Sequence, residues 1–161
     1  MARERRAERV DGMRLRPATD ADVPRLTALV RSAYRHYVER IGRPPGPMTE
    51  DYAHVVRAYQ VTVAERDNQT VGLVVMGVDE EGFVIANLAV DPSHQGSGVG
   101  RALLEHAEQA ARRAGFDSLY LYTHERMTEN IALYTRIGYV EYDRRPLDHG
   151  AHLVYLRKTL G

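Results

Sequence analysis

Cysteine is missing from the 161 residues of this chain, and lysine occurs once, at Lys158. Without cysteine the chain cannot form disulfides, thiolate metal sites or a thiol nucleophile, which fits a reducing compartment such as the cytoplasm. No apolar run approaches the ~20 residues that a membrane-spanning helix needs, and the charged start lacks the apolar stretch of a signal peptide. We therefore expect a soluble, cytoplasmic protein whose chemistry does not depend on thiols.

An excess of charge is also missing. The 22 basic and 22 acidic residues balance, so no global field attracts nucleic acid or an anionic membrane. Among the seven histidines, His149 and His152 could share a strand, but no third ligand stands near them, and we predict that both are surface residues. The sequence thus predicts no metal, no nucleic-acid partner and no membrane partner.

The first half of the chain predicts a leader and then the start of one domain. Residues 1–12 are charged and lack apolar periodicity, so we predict a disordered leader before a single domain over residues 13–161, with Met13 as an alternative start. Apolar spacing predicts a strand from Met13, a helix to about Arg40 and a short helix opened by Thr49. An antiparallel meander is predicted at 61–64, 71–78 and 83–90.

The second half predicts a strong helix over Gly98–Ala114, with Gly115 placed for a left-handed stop. A strand at 119–122, a helix at 128–137 closed by Gly138, and strands near 139–144 and 152–158 follow. This order predicts an α/β (α+β) fold with a mixed, mostly antiparallel sheet rather than a doubly wound one.

Glycine concentrates between a buried strand and that strong helix. The strand ends Leu88-Ala89-Val90, and the loop reads Gln95-Gly96-Ser97-Gly98-Val99-Gly100-Arg101. The first turn of a helix leaves N–H groups unpaired and carries about half a positive charge, so glycines there let a phosphate approach. A dinucleotide fingerprint would need glycine in place of Arg101, and the Gly-Lys-Ser/Thr of a P-loop is absent. A flexible turn without a ligand is the alternative.

Two motifs carry a resemblance to a known family. Gln95-x-x-Gly98-x-Gly100 resembles the pyrophosphate motif of the GNAT N-acetyltransferase superfamily, and Asn130-Ile-Ala-Leu-Tyr134, followed by Gly138-Tyr139, resembles its later motif. The resemblance runs from residue 13 to residue 160. Within the family, the sequence is similar to a bacterial subgroup whose acceptors are mostly unassigned. It implies a GNAT-like sheet with helices on both faces, and acetyl-CoA-dependent acetylation of a primary amine on a small molecule or peptide.

The resemblance also implies roles for particular residues. The pantetheine arm would enter where the strand ending Leu88, Ala89 and Val90 splays from the strand at 119–122, and a backbone N–H of that first strand would polarise the acetyl carbonyl. The N–H groups of Gln95 to Arg101 would hold the pyrophosphate. Asn130 would form a hydrogen bond to the cofactor arm. Tyr134 is the predicted general acid for the departing thiolate. Because Ile131, Tyr134 and Ile137 share a helix face, a purely structural role for Tyr134 is the alternative.

The general base and the acceptor stay open at this point. Many family members carry Glu where this chain has Ala86, which leaves His124, Glu125, Glu129, His54 or a relaying water as candidates. The acceptor pocket is predicted near an aromatic, weakly charged set comprising Tyr34, Tyr37, Met48, Tyr52 and Tyr142. Whether the protein forms a homodimer is also left open by the sequence. The competing hypothesis is a non-catalytic acyl-CoA binding or sensing module, which would not need Tyr134.

Overall fold

The computed structural model describes residues 7–10 and 12–161, and its elements follow the predicted order with one strand added in front. These elements are β1 Glu8–Val10, β2 Met13–Pro17, α1 Val23–Ile41, α2 Tyr52–Ala58, β3 Gln60–Arg66, β4 Gln69–Asp79, β5 Gly82–Val90, α3 Val99–Arg113, β6 Ser118–His124, α4 Thr128–Arg136, β7 Val140–Pro146 and β8 His152–Thr159. Short 3-10 turns at Asp20–Asp22, Gly46–Thr49 and Pro92–His94 lead towards α1, α2 and α3.

The strands form one sheet in the order β1-β2-β3-β4-β5-β6-β8-β7. Within the described residues β5 and β6 are the only parallel neighbours, since α3 carries the chain back across one face between them. The last strand, β8, inserts between β6 and β7 and is antiparallel to both. The predicted α/β fold with a mixed, mostly antiparallel sheet is confirmed.

Helices cover both faces of this sheet. On one face, α3 and α4 contribute Leu103 and Tyr134 to a core that includes Phe83 and Leu119. On the other face, α1 and α2 pack on a second core that includes Leu73. Among the described helices, none is long and apolar enough to cross a bilayer.

Gly72 on β4 sets how closely α3 approaches the sheet. A Cβ at this position would lie 2.8 Å from Val99 Cγ1, 3.0 Å from Leu103 Cδ1 and 3.2 Å from the Ala89 carbonyl oxygen. The distance to Val99 Cγ1 is shorter than real Cβ atoms show and the other two are tight, so a side chain at this position would force Val99 and α3 to shift. The N-terminal turn of α3 is thereby held against the end of β5.

A β-bulge at Ala86 changes which face β5 presents. Val75 pairs with Asn87 and Met76 with Ile85, so Ala86 is the extra residue. Ala86 and Asn87 consequently both face α1 and α2, whereas Leu88 returns to the face that carries α3. The bulge therefore brings a polar side chain, Asn87, into the interior between β5 and α1.

Two boundaries differ from the sequence-based expectation. Glu8–Val10 falls in the predicted leader but pairs antiparallel with Met13–Leu15, and Val10 packs on the core. Backbone hydrogen bonds make this edge pairing, so the charged composition gave no sign of it; residues 1–6 and 11 of the predicted leader lie outside the described residues. Helix α2 starts at Tyr52, where the Asp51 carboxylate accepts from the Ala53 N–H at 3.0 Å, rather than at Thr49.

Candidate functional site

A cavity of about 340 Å³ opens where β5 and β6 separate. Their parallel ladder ends at Ile85 and Leu121, and the remaining described residues of β5 do not pair with β6. We call this space the β5–β6 cavity. Its lining includes the aromatic residues Tyr34, Tyr52, Tyr59, Tyr122 and Tyr134, the prolines of the loop after α1, and the imidazoles of His124 and His149.

Three of the residues predicted near the cofactor thioester line this cavity, namely Leu88, Asn130 and Tyr134. Ala89 and Val90 continue β5 away from it, with Ala89 buried and Val90 half-buried. The cavity therefore joins the end of β5 to helix α4, which begins about forty residues further along the chain.

Tyr134 is buried on α4, and its ring meets the edge of Tyr139 with centroids 5.9 Å apart. Burial is the main cause that raises the pKa of the Tyr134 phenol well above its usual range. Its hydroxyl makes no hydrogen bond to any residue in the described part of the chain. The Tyr134 side chain thus lines the cavity as a protonated phenol, and its hydroxyl is available to hydrogen-bond a bound molecule.

The glycine loop leads from β5 into α3, in the order that the sequence predicts. Gly96 has φ of +78° and Gly98, the residue that caps α3, has φ of +89°. The first helical bond runs from the Ala102 N–H to the Gly98 oxygen at 3.0 Å, so the N–H groups of Val99 and Gly100 precede the helical ladder. Gln95, Gly96, Ser97, Gly98 and Arg101 are exposed, Gly100 is half-buried and Val99 is buried.

Two arginines, Arg66 at the end of β3 and Arg25 on α1, hold this loop. Arg66 donates from Nη1 to the Ser97 hydroxyl at 3.0 Å and from Nη2 to the Ser97 carbonyl at 3.3 Å. Arg25 donates to an Asp91 carboxylate oxygen at 3.0 Å. Hydrogen bonds from Ser93 and then Arg25 hold the pKa of Asp91 below its usual range. Nothing in the sequence around Arg66 or Arg25 indicates these partners, because each contact crosses more than thirty residues.

Asn87 stands at the centre of a directed hydrogen-bond chain on the opposite wall. The Tyr52 hydroxyl donates its one proton to the Pro47 carbonyl at 2.6 Å, so its oxygen accepts from Asn87 Nδ2 at 3.1 Å. Asn87 Oδ1 therefore faces Tyr34, whose hydroxyl donates to it at 2.7 Å and lies 3.0 Å from the Leu88 carbonyl oxygen. These hydrogen bonds link α1, α2 and β5 around the cavity.

Of the four side chains considered as a general base, only His124 lines the β5–β6 cavity. Glu129 is held by Arg40 at 2.7 Å and by the Tyr37 hydroxyl at 3.0 Å, and the Arg40 hydrogen bond chiefly lowers the pKa of Glu129 to about 2. Glu125 accepts from the His152 N–H at 3.0 Å. His54 is exposed on α2.

The structure corrects the expectation for His149. Its side chain is 19% exposed and lines the β5–β6 cavity from the connection between β7 and β8, instead of lying on the surface. Leu147 and Leu153 flank it in the same lining and draw the connection inwards. His152, by contrast, is 43% exposed along its side chain. Within residues 7–10 and 12–161, no group of three ligating side chains is placed to bind a metal.

The predicted acceptor pocket is only partly assembled. Tyr34 and Tyr52 line the β5–β6 cavity, but Tyr37, Met48 and Tyr142 do not. Tyr142 is exposed on the edge strand β7, where its hydroxyl donates to Glu81 Oε2 at 2.9 Å. The strand order explains why Tyr142 lies outside the cavity, because β8 separates β7 from it.

Known proteins share both the sequence motifs and this architecture. A family model described as "Acetyltransferase (GNAT) domain" matches residues 57–141. The "IAA acetyltransferase" of Azospirillum brasilense is 37% identical over 86 residues, which are 52% of this chain and 55% of that protein. The ribosomal protein bS18-alanine N-acetyltransferase of Escherichia coli (strain K12) is 42% identical over 55 residues, 34% of this chain and 37% of that protein. The chain thus spans about half, or less, of the length of these curated relatives.

Solved structures show the same fold. The PaiA N-acetyltransferase from Thermoplasma acidophilum, in complex with coenzyme A, matches with a TM-score of 0.75 and 15% identity over 91% of this chain and 98% of that one. At that identity the match supports the fold alone. The family model, however, covers more than half of the chain and includes the glycine loop and Tyr134. The chain belongs to the GNAT acetyltransferase family.

Proposed function

We propose that this protein is an acetyl-CoA-dependent N-acetyltransferase that acetylates a primary amine of a small molecule or peptide. The observation that carries the proposal is the course of β5, whose residue Leu88 lines the cavity that also contains Tyr134 and whose end leads into the glycine loop. A thioester in the cavity and a pyrophosphate at the loop would then lie along one strand. The family match, together with the coenzyme A bound by the Thermoplasma acidophilum protein of the same fold, motivates the choice of cofactor.

Each part of acetyl-CoA has a matching feature along that strand. The pyrophosphate would accept from N–H groups of Gln95 to Arg101, where the first turn of α3 has donors outside its ladder and a positive dipole end. The pantetheine arm would extend beside the edge of β5 that β6 leaves unpaired beyond Ile85, as an added strand does. Asn130 would contribute a hydrogen bond from α4.

The proposed chemistry uses the two walls of the cavity. The amine attacks the acetyl carbonyl carbon, while a backbone N–H in the stretch Leu88 to Val90 stabilises the developing oxyanion. The C–S bond then breaks, and the Tyr134 hydroxyl donates to the departing thiolate. The raised pKa of Tyr134 keeps that donor protonated at the pH of the reaction.

The lining of the cavity favours an acceptor whose amine is carried on an apolar or aromatic body. Tyr34, Tyr52, Val55 and Val75 contribute aromatic and aliphatic surface, and a volume of about 340 Å³ suits a small molecule or one terminal residue of a peptide. A polycation would find little compensation for its charge there.

The test compares substitutions at two glycines with the same backbone conformation. Gly98 has φ of +89° and Gly115 has φ of +90°, and a Cβ meets nothing within 4 Å at either position. Gly98→Asp and Gly115→Asp therefore impose similar backbone strain, at opposite ends of α3. Calorimetry should show at least a tenfold loss of coenzyme A affinity, ~1.4 kcal/mol, for Gly98→Asp alone.

Turnover is measured separately, by incubating the wild-type protein with acetyl-CoA and a panel of amines and following free thiol. Release of free thiol that depends on an added amine would support the proposal that the protein is an enzyme. Binding of coenzyme A without turnover on any amine would instead favour the non-catalytic binding or sensing module. Unchanged affinity in a folded Gly98→Asp variant would remove the pyrophosphate site from the glycine loop.

A further inference from the structure

Two imidazoles in the β5–β6 cavity present opposite hydrogen-bonding character. His124, at the end of β6, is 7% exposed. Its Nδ1 accepts from the Arg126 backbone N–H at 3.1 Å. A nitrogen that accepts carries no proton, so the neutral ring has its proton on Nε2. His124, a residue of the cavity lining, therefore carries an N–H donor at Nε2.

His149 has the complementary tautomer. Its Nδ1 lies 3.0 Å from Asp148 Oδ1. Hydrogen bonding to His149, with Arg43 as a further positive charge, lowers the pKa of Asp148, so the carboxylate acts as an acceptor and Nδ1 is the donor. The neutral ring then keeps a lone pair on Nε2. His149, a residue of the cavity lining, therefore carries a proton acceptor at Nε2, and the exposed Asp148 carboxylate orients its ring from the Nδ1 side.

The two rings lie side by side. Their centroids are 5.9 Å apart and their planes differ by 16°. Both Nε2 atoms are buried and, among the described residues, neither has a hydrogen-bond partner. A buried polar group without a partner costs roughly 1–3 kcal/mol, so we expect a water or a bound molecule to hydrogen-bond to each of these atoms.

The charges around the pair keep the two roles distinct. Glu125, Arg126 and His149 act on His124, but burial is the largest cause and lowers the pKa of His124, which keeps its ring neutral at neutral pH. Asp148 faces His149, and Arg43 lies 3.6 Å from that carboxylate. The carboxylate and the guanidinium therefore lie on the His149 side of the pair.

We propose that His149 Nε2 is the general base for the acceptor amine and that the Nε2–H of His124 orients the same acceptor by donating a hydrogen bond. This inference rests on the proposed function. As the amine nitrogen forms its bond to the acetyl carbon, it loses a proton to His149. The C–S bond breaks, the thiolate accepts a hydrogen bond from Tyr134 and takes its proton from solvent, and His149 returns its own proton to solvent. His124 cannot be the base in this geometry, because its Nε2 already carries the proton and its Nδ1 is occupied.

The kinetic test uses phenethylamine, an amine on an aromatic body, with acetyl-CoA as donor. His149→Ala should lower kcat/KM about 100-fold, the usual scale for a positioned base. It should also remove from the pH profile the group that must be deprotonated, and added imidazole should restore part of the rate. The matched control is His152→Ala on β8, which removes an exposed imidazole outside the cavity lining and should stay within about twofold of the wild type.

A second measurement needs no turnover. Long-range ¹H–¹⁵N spectra of the wild-type protein report which ring nitrogen carries the proton in each histidine. We expect Nε2–H for His124 and Nδ1–H for His149, with Asp148→Ala weakening the preference only in His149. The opposite tautomers would overturn the inference.

The outcomes separate this inference from the proposed function. A wild-type protein that acetylates none of the amines overturns both. An active wild type with a His149→Ala variant of equal rate and unchanged pH profile overturns the role of His149 alone, and leaves the acetyltransferase proposal standing.

Discussion

Replacing Tyr134 by Phe separates catalysis from packing more cleanly than any other single change in the cavity. The substitution removes one oxygen and keeps the ring that packs edge-on to Tyr139 at 5.9 Å. The hydroxyl makes no hydrogen bond with the described residues, so the substitution breaks no hydrogen bond among them. We therefore expect the free energy of unfolding to stay within about 1 kcal/mol of the wild type, with any change towards higher stability.

The expected loss of rate follows from the chemistry of the leaving group. A thiol has a pKa of ~8.5, below that of the buried Tyr134 phenol, so the hydroxyl acts on the thiolate mainly as a hydrogen-bond donor. A hydrogen bond to a charged group contributes roughly 1.5–3 kcal/mol. That range corresponds to a decrease of ~10- to 150-fold in kcat. Coenzyme A affinity should barely change, since the interaction forms as the C–S bond breaks.

Tyr139→Phe is the matched control for this measurement. The Tyr139 hydroxyl is also buried and, among the described residues, has no hydrogen-bond partner, but Tyr139 does not line the cavity. Turnover of this variant should equal that of the wild type, with equal or higher melting temperature. If Tyr134→Phe keeps its rate within threefold, or if the two variants lose rate equally, Tyr134 has only a packing role.

Three further predictions concern the scaffold. Gly72→Ala places a Cβ 2.8 Å from Val99 Cγ1, so urea denaturation should show a loss of roughly 1–3 kcal/mol; wild-type stability would mean that α3 can move away. Glu129→Gln should leave turnover unchanged. Because the pKa of Glu129 is lowered to about 2 by Arg40, the wild type should lose its small stability advantage over this variant as pH falls from ~4.5 to 2; an advantage that persists at pH 2 would contradict the ion pair. Deleting residues 1–12 removes β1 from the sheet edge and should lower the melting temperature by ~2–4 °C, whereas an unchanged value would show that β1 contributes nothing.

Local patterns were sufficient to predict most elements and the loop between β5 and α3. The helix expected over Gly98–Ala114 is observed at Val99–Arg113, and Gly115 has the left-handed φ of +90° that ends it. Such features could be read from the sequence because helix periodicity and glycine at positive φ are properties of a few consecutive residues. The order of strands and helices, and with it the fold class, followed from the same local signals.

The tertiary structure alone decided which distant side chains share the cavity. The bulge at Ala86 turns Asn87 towards Tyr34, which lies 53 positions earlier. The insertion of β8 between β6 and β7 leaves Tyr142 outside the cavity, while the connection before β8 carries His149 inwards against His124. Strand order and register are set by pairing between segments that are far apart in the chain, and a shift of one residue reverses the face on which each side chain lies. The sequence therefore determined the elements and the glycine loop, and the folded sheet decided which polar groups could act together.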